Sequence, residues 1–171
     1  MTESIATSLV SLFGGLSSIP FGKELTIFII STLPILELRG GLIAATLLGL
    51  DPLSSFIICF IANLIPIPLI LWFITPLFTK MKKTKLFKGM AEKLENKALS
   101  KKEQIEKYEF WGLLLFVGIP LPGTGAWTGC LIAALLDMNK KKSLLVASLG
   151  VLLAGIIMMI LSFGLLGGII N

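Results

Sequence analysis

The residues best equipped for chemistry are Glu37 and Arg39, two positions apart in LPILELRGGLIAA, an otherwise apolar run over 33–45 that holds the chain's single arginine. A charge at the centre of a membrane helix costs about 2.5 to 3.5 kcal/mol on insertion scales, so such a pair needs a reason to be there. On a continuous helix the two side chains would point to different faces, whereas an extended break between Pro34 and Gly40 would turn both toward one cavity. Gly40 and Gly41 would then open a second half-helix, whose backbone N–H groups and positive dipole end favour an anion. Two readings stand side by side. The pair is a structural ion link, or it is a substrate and proton site whose carboxylate carries the coupling proton. Arginine beside it pulls the carboxyl pKa down while burial pushes it up, and the sequence leaves that contest open.

A second break of the same kind lies at PLPGTGAWTG, residues 120–129. Pro120 and Pro122 interrupt a helix, Gly123, Thr124 and Gly125 offer a backbone nest, and Thr124 reads as the cap of the helix that follows. Trp127 adds a stacking surface and Thr128 a hydroxyl. Asn63, with Pro66 and Pro68 just after it, places an amide in a third apolar run. It reads as an interhelical hydrogen-bond donor or a ligand contact.

Much other chemistry is disfavoured. The 171 residues contain no histidine, the usual general base and metal ligand, and no phosphate-binding loop, dinucleotide fingerprint or zinc spacing. The expectation is a protein that is not an enzyme, with no cofactor and no bound metal. Cys59 and Cys130 sit in separate apolar runs and read as small buried side chains. The net charge of +5 does not point to nucleic acid, because the excess lies between apolar runs, where it marks topology and contact with anionic lipid.

The elements that must position these residues are membrane helices. Hydrophobic residues make up 55% of the chain and its mean hydropathy is +0.94. Four apolar stretches cover about 25–50, 52–79, 110–136 and 143–170, and residues 1–22 read as an interfacial N-terminal helix. Residues 80–109 hold most of the lysines with apolar residues at helical spacing, which predicts an amphipathic linker on the membrane surface. Trp111, just beyond it, reads as an interfacial anchor.

The first and third stretches share a design. Each runs apolar for about ten residues, breaks, runs apolar again and ends at an aspartate, with 17 positions from Pro34 to Asp51 and from Pro120 to Asp137. A competing register aligns LIAA at Leu42 with LIAA at Leu131. Ten helical residues rise about 15 Å, half of a roughly 30 Å hydrocarbon core. If all four stretches cross, the lysines of NKKK (139–142) lie opposite the basic linker, against the positive-inside rule. If the first and third fold back, 13 of the 15 basic side chains are cytoplasmic, with Lys23 outside and Arg39 in the membrane. The expected fold is therefore an all-α integral membrane protein in one domain, with two inverted repeats at 24–79 and 110–171. Each repeat is a re-entrant helical hairpin followed by a transmembrane helix, and the hairpin tips meet near the midplane.

LELRGG at 36–41 with PLPGTGAWTG at 120–129, separated by an apolar helix and a basic linker, resembles the small prokaryotic membrane proteins known as small multidrug export proteins, over residues 25–165. More distantly the folded-back pairs look like the DedA superfamily, which implies a lipid-carrier flippase acting on undecaprenyl phosphate as an alternative. In the DedA pattern the charges are shared between both hairpins, whereas here Glu37 and Arg39 sit in the first alone. The leading expectation is ion-coupled export of a small amphipathic or anionic substrate by a homodimer in the prokaryotic plasma membrane, with the linker 80–109 and the loop 138–142 cytoplasmic. A non-transporting scaffold is the third reading. Partners would be membrane lipid, the transported molecule and a second copy of the chain, with no nucleic acid.

Overall fold

The structure is a computed structural model, and it describes residues 20–83, 89, 92, 96, 109–121 and 123–166. Residues 1–19 of the expected N-terminal helix (1–22), most of the linker (80–109) and Pro122 lie outside the described residues. Every described element is helical: α1 (Gly22–Thr32), α2 (Glu37–Leu47), α3 (Pro52–Leu64), α4 (Pro66–Lys83), α5 (Glu109–Gly118), α6 (Ala126–Leu135) and α7 (Lys140–Met159), with a π-helical segment Ile160–Leu166. Two stretches are long and apolar enough to cross a membrane, Pro52–Ile74 and Lys140–Gly164. The chain forms two compact units, Met1–Ile65 with Val151–Asn171, and Pro66–Gly150.

In the first unit α1 and α2 form a helical hairpin. Their mouth is tied by Lys23, whose ammonium donates to Leu48 O at 2.9 Å. Close packing follows from Gly41: a Cβ there would overlap Ser31 Oγ on α1 and stand 2.8 Å from Cys59 Sγ on α3. The α2 helix ends in a Schellman motif, with Leu50 N–H donating to Ala45 O (3.0 Å) and Gly49 N–H to Thr46 O (3.1 Å). Gly49 has φ +65°, which favours glycine. Asp51 then caps α3, its Oδ2 accepting from Ser54 N–H (2.9 Å) and the Ser54 hydroxyl (2.6 Å), with Pro52 pre-set for the first turn. The segment after Val151 belongs to this unit too. Gly155 leaves room there for Phe56 and Leu38.

The second unit has similar local features. Gly129 of α6 packs against Val117 and Leu113 of α5, as Gly41 packs against Ser31 and Ile27. Lys142 lies 5.6 Å over the Phe110 ring, so the start of α5 and the start of α7 stand together at the mouth. α6 also ends in a Schellman motif, Met138 N–H to Ala133 O (3.0 Å) and Asp137 N–H to Ala134 O (3.2 Å), with Asp137 at φ +52°. Asn139 then caps α7 by accepting from Lys142 N–H at 3.1 Å.

These matches fix a local register that neither sequence alignment had. From Gly41 onward equivalent residues are 88 positions apart: Gly41 and Gly129, Gly49 and Asp137, Asp51 and Asn139. In the first helix of each hairpin the shift is 86, as Ser31 and Ile27 answer to Val117 and Leu113. The second break is two residues longer, so a single offset could satisfy only one side of it. Burial follows the same register, with Ser55, Cys59, Ala62 and Asn63 on α3 buried and so are Ser143, Ala147, Gly150 and Val151 on α7.

Candidate functional site

The first break is shorter than expected. Only residues 33–36 leave the helix, and α2 begins at Glu37, whose N–H donates to Leu33 O at 3.0 Å. Glu37 and Arg39 therefore stand in the first helical turn rather than in an extended stretch, and their side chains leave the helix in different directions. They still interact electrostatically. Glu37 is 5% exposed and Arg39 half-buried.

Gly40 and Gly41 are correspondingly inside α2 and do not open it. Gly40 N–H donates to Leu36 O at 2.9 Å, so it is not a donor held ready for an anion. The physical reason is packing: both glycines are buried, and the close approach of α1 and α3 to Gly41 requires a continuous helix there.

Glu37 has φ +52°, the left-handed region, which costs a residue with a Cβ roughly 1–2 kcal/mol. Its counterpart at the second break, Gly125, has φ +131° and pays no such penalty. A buried carboxylate in a conformation suited to glycine is strain of the kind that collects at functional sites.

α3 brings Asn63 into this region. Gly41 touches Cys59, and α2 and α3 run antiparallel through a four-residue connection. One turn from Gly41 toward the tip is Glu37 and one turn from Cys59 the same way is Asn63, so the two share a level. Asn63 is 3% exposed and its Oδ1 has no hydrogen-bond partner, nor have the hydroxyls of Ser31 and Ser55. Ser31 and Cys59 both border Gly41, close enough to interact. The buried hydroxyls of Ser143 and Ser162 are also without a partner, whereas Thr26, Thr32, Thr46 and Ser148 each donate to the carbonyl four residues back, at 2.8 to 3.1 Å. Each unpartnered buried group costs about 1–3 kcal/mol. Ser31 and Ser55 were not singled out from the sequence, although Ser55, Cys59 and Asn63 at i, i+4 and i+8 form a polar stripe that helical spacing makes visible.

At the second break Thr124 is not the helix cap. That position falls to Gly125, and Thr124 Oγ1 instead accepts from Leu121 N–H (3.2 Å) and lies within hydrogen-bond reach of Ile119 O (2.9 Å) and Leu121 O (2.8 Å), tying the break to itself. Gly123, at φ +81° in open space, makes the turn, and Pro120 is half-buried before it. Trp127 and Thr128 are half-buried in the first turn of α6. Glu37, Arg39, Gly40, Gly41 and Asn63 are thus residues of the first unit, and Pro120, Gly123, Thr124, Gly125, Trp127 and Thr128 of the second. Trp111 is 68% exposed at the start of α5.

No curated protein and no solved structure matches the chain. One family profile does, over residues 37–157, from Glu37 through both breaks and into α7. The chain belongs to the family described as "Putative small multi-drug export protein".

Proposed function

We propose that the protein is an ion-coupled membrane exporter of a small amphipathic or anionic substrate, with Glu37 as the proton-carrying group and Arg39 as its charge partner. The observation that carries this reading is Glu37 itself, a buried carboxylate in a left-handed conformation at the tip of a helical hairpin, beside the chain's single arginine. Intramembrane ionisable residues mark substrate or proton pathways by default, and strain at such a residue is retained for a use.

Membership in an export family and two apolar spans make this a membrane protein. Its finer arrangement in the bilayer belongs to the proposal. Both hairpins are re-entrant, each is followed by a spanning helix, and the two halves enter from opposite faces. The Lys23 to Leu48 bond and the Lys142 contact with Phe110 favour this, because each brings the two ends of a hairpin to one level. The shared capping and glycine packing favour a repeat. The two spans among the described residues are few to enclose a pathway, which favours a homodimer in the prokaryotic plasma membrane.

The test uses proteoliposomes with an imposed pH gradient and ethidium as an amphipathic probe. Gradient-driven ethidium movement is expected in the natural protein and is expected to fall to the level of empty liposomes in Glu37→Gln, with unchanged monodispersity in detergent. Equal transport by the variant removes Glu37 from the mechanism.

A further inference from the structure

The two hairpins are built alike but differ in polarity. At Ser31, Cys59, Asn63 and Glu37 the first hairpin and the helix after it carry groups that can hydrogen-bond; the equivalent positions of the second hairpin and the helix after it hold Val117, Ala147, Val151 and Gly125. Only Ser55 keeps its type, as Ser143. The same helix pair and following helix therefore form without the other four polar side chains, which the fold does not require.

Their order along the helices is what a path needs. Ser55 lies one turn from the Asp51 cap at the mouth, and the Ser31 and Cys59 pair is next, at the level of Gly41. Asn63 comes last, at the level of Glu37. Steps of four residues on a helix rise about 6 Å, a gap that one water molecule bridging two polar groups can fill. Ser31 Oγ, Ser55 Oγ and Asn63 Oδ1 are buried with no protein partner, so each has a hydrogen-bonding position left for water. The titratable groups on the elements around Glu37 are Arg39 on its own helix, Cys59 on α3, and Lys23, Glu24 and Asp51 at the distant mouth.

We infer that the first unit holds a chain of water molecules running from the mouth of its hairpin past Ser55, Ser31 with Cys59, and Asn63 to the Glu37 carboxylate. This rests on the proton-carrying reading of Glu37 and supplies its route. A proton enters at the mouth beside Ser55, is relayed between waters held by the hydroxyls and the Asn63 amide oxygen, and ends on the carboxylate, leaving Arg39 without its anionic partner. The second hairpin keeps the first of these groups, as the buried and unpartnered Ser143 hydroxyl, and lacks the ones that would carry the route onward.

Cys59 lies midway along the path and reports on it directly. With Cys130→Ala it is the only thiol, and exchange of its S–H proton in D2O can be followed through the S–H infrared stretch in intact, membrane-reconstituted protein. Fast exchange is expected, slowed by about tenfold or more in Asn63→Val and Ser31→Val, substitutions that copy the second hairpin and the helix after it and so preserve the fold. The comparison is Ala147→Cys in protein with both natural cysteines replaced by alanine, where exchange is expected to be slow. Exchange at Cys59 as slow as at position 147, or unaltered by both substitutions, overturns the water chain. The measurement uses no substrate and no gradient. Fast exchange alongside undiminished ethidium transport by Glu37→Gln would retire the role of Glu37 and leave the hydrated path standing.

Discussion

Glu37 combines burial, charge and a left-handed backbone in one residue, and these can be separated by substitution. Glu37→Ala and Glu37→Gly both remove the carboxylate and strand Arg39, so they differ only in how each tolerates φ +52°. Glycine ordinarily weakens a helix relative to alanine, but here the order reverses: Glu37→Gly should be the more stable of the two by about 1 kcal/mol, read from thermal unfolding in detergent. Gly41 is constrained by space instead. In Gly41→Ala the new methyl meets Ser31 Oγ and Cys59 Sγ, and beyond them the Ile27 carbonyl at 3.1 Å, which cannot rotate away. A loss of about 1–3 kcal/mol is expected, partly recovered by adding Ser31→Gly, and the double variant's melting temperature checks this. That the charged pair is out of the ordinary was legible in the sequence, since an arginine in a greasy run carries its own cost. That Glu37 opens a helix in a left-handed conformation was not, because backbone dihedrals at a break are set by how α1 and α3 close on Gly41.

Among the elements, α3 is the most directly testable, because its cap is ionisable. The two hydrogen bonds from Ser54, first from its hydroxyl and then from its backbone, hold the Asp51 carboxyl below the ordinary carboxylate range. A depressed folded pKa means the cap's contribution is complete above the unfolded value of about 3.9 and fades as pH falls through the lower folded one. Amide protection at Ser54 and Ser55 should therefore drop in acid for the natural protein, while in Asp51→Asn, whose amide oxygen caps without titrating, it should not. Asn139 already shows that an amide serves at the equivalent place in α7. The helices, their prolines and the approximate breaks could be read from apolar runs and turn residues. Their edges could not. Thr124 is a reasonable cap by residue type, but Gly125 at φ +131° takes that position and leaves the threonine hydroxyl to close the loop. The likeness of the two breaks was visible and the offset between their caps and glycine contacts was not, since two extra residues at the second break split one offset into two.

At the scale of the molecule the proposal concerns sides. With re-entrant hairpins, a thiol-specific reagent confined to the exterior should label Asp51→Cys and Lys23→Cys but not Lys141→Cys, in protein lacking its natural cysteines, and disruption of the membrane should expose Lys141→Cys. If the stretches cross fully, Lys141→Cys is labelled from outside and Lys23→Cys is not. The Gly150 packing belongs to the same scale. Gly150 is occupied within its own unit by Val117 and the Leu114 carbonyl, so its open side is used up by packing inside the chain. A homodimer is better sought on exposed apolar faces such as Leu145, Leu149 and Leu152. The clasp of Lys23 on the Leu48 carbonyl bears, finally, on how such a chain is made. Two short helices bound at their open end behave as one wedge, and in the proposed topology that end faces the exterior, so the ribosome's product from 23 to 48 has to be carried over as a unit before it can settle back into the outer leaflet. Loosening that lysine should therefore betray itself first in biogenesis, as newly made protein caught by quality-control proteases, before any defect appears in molecules that have already matured.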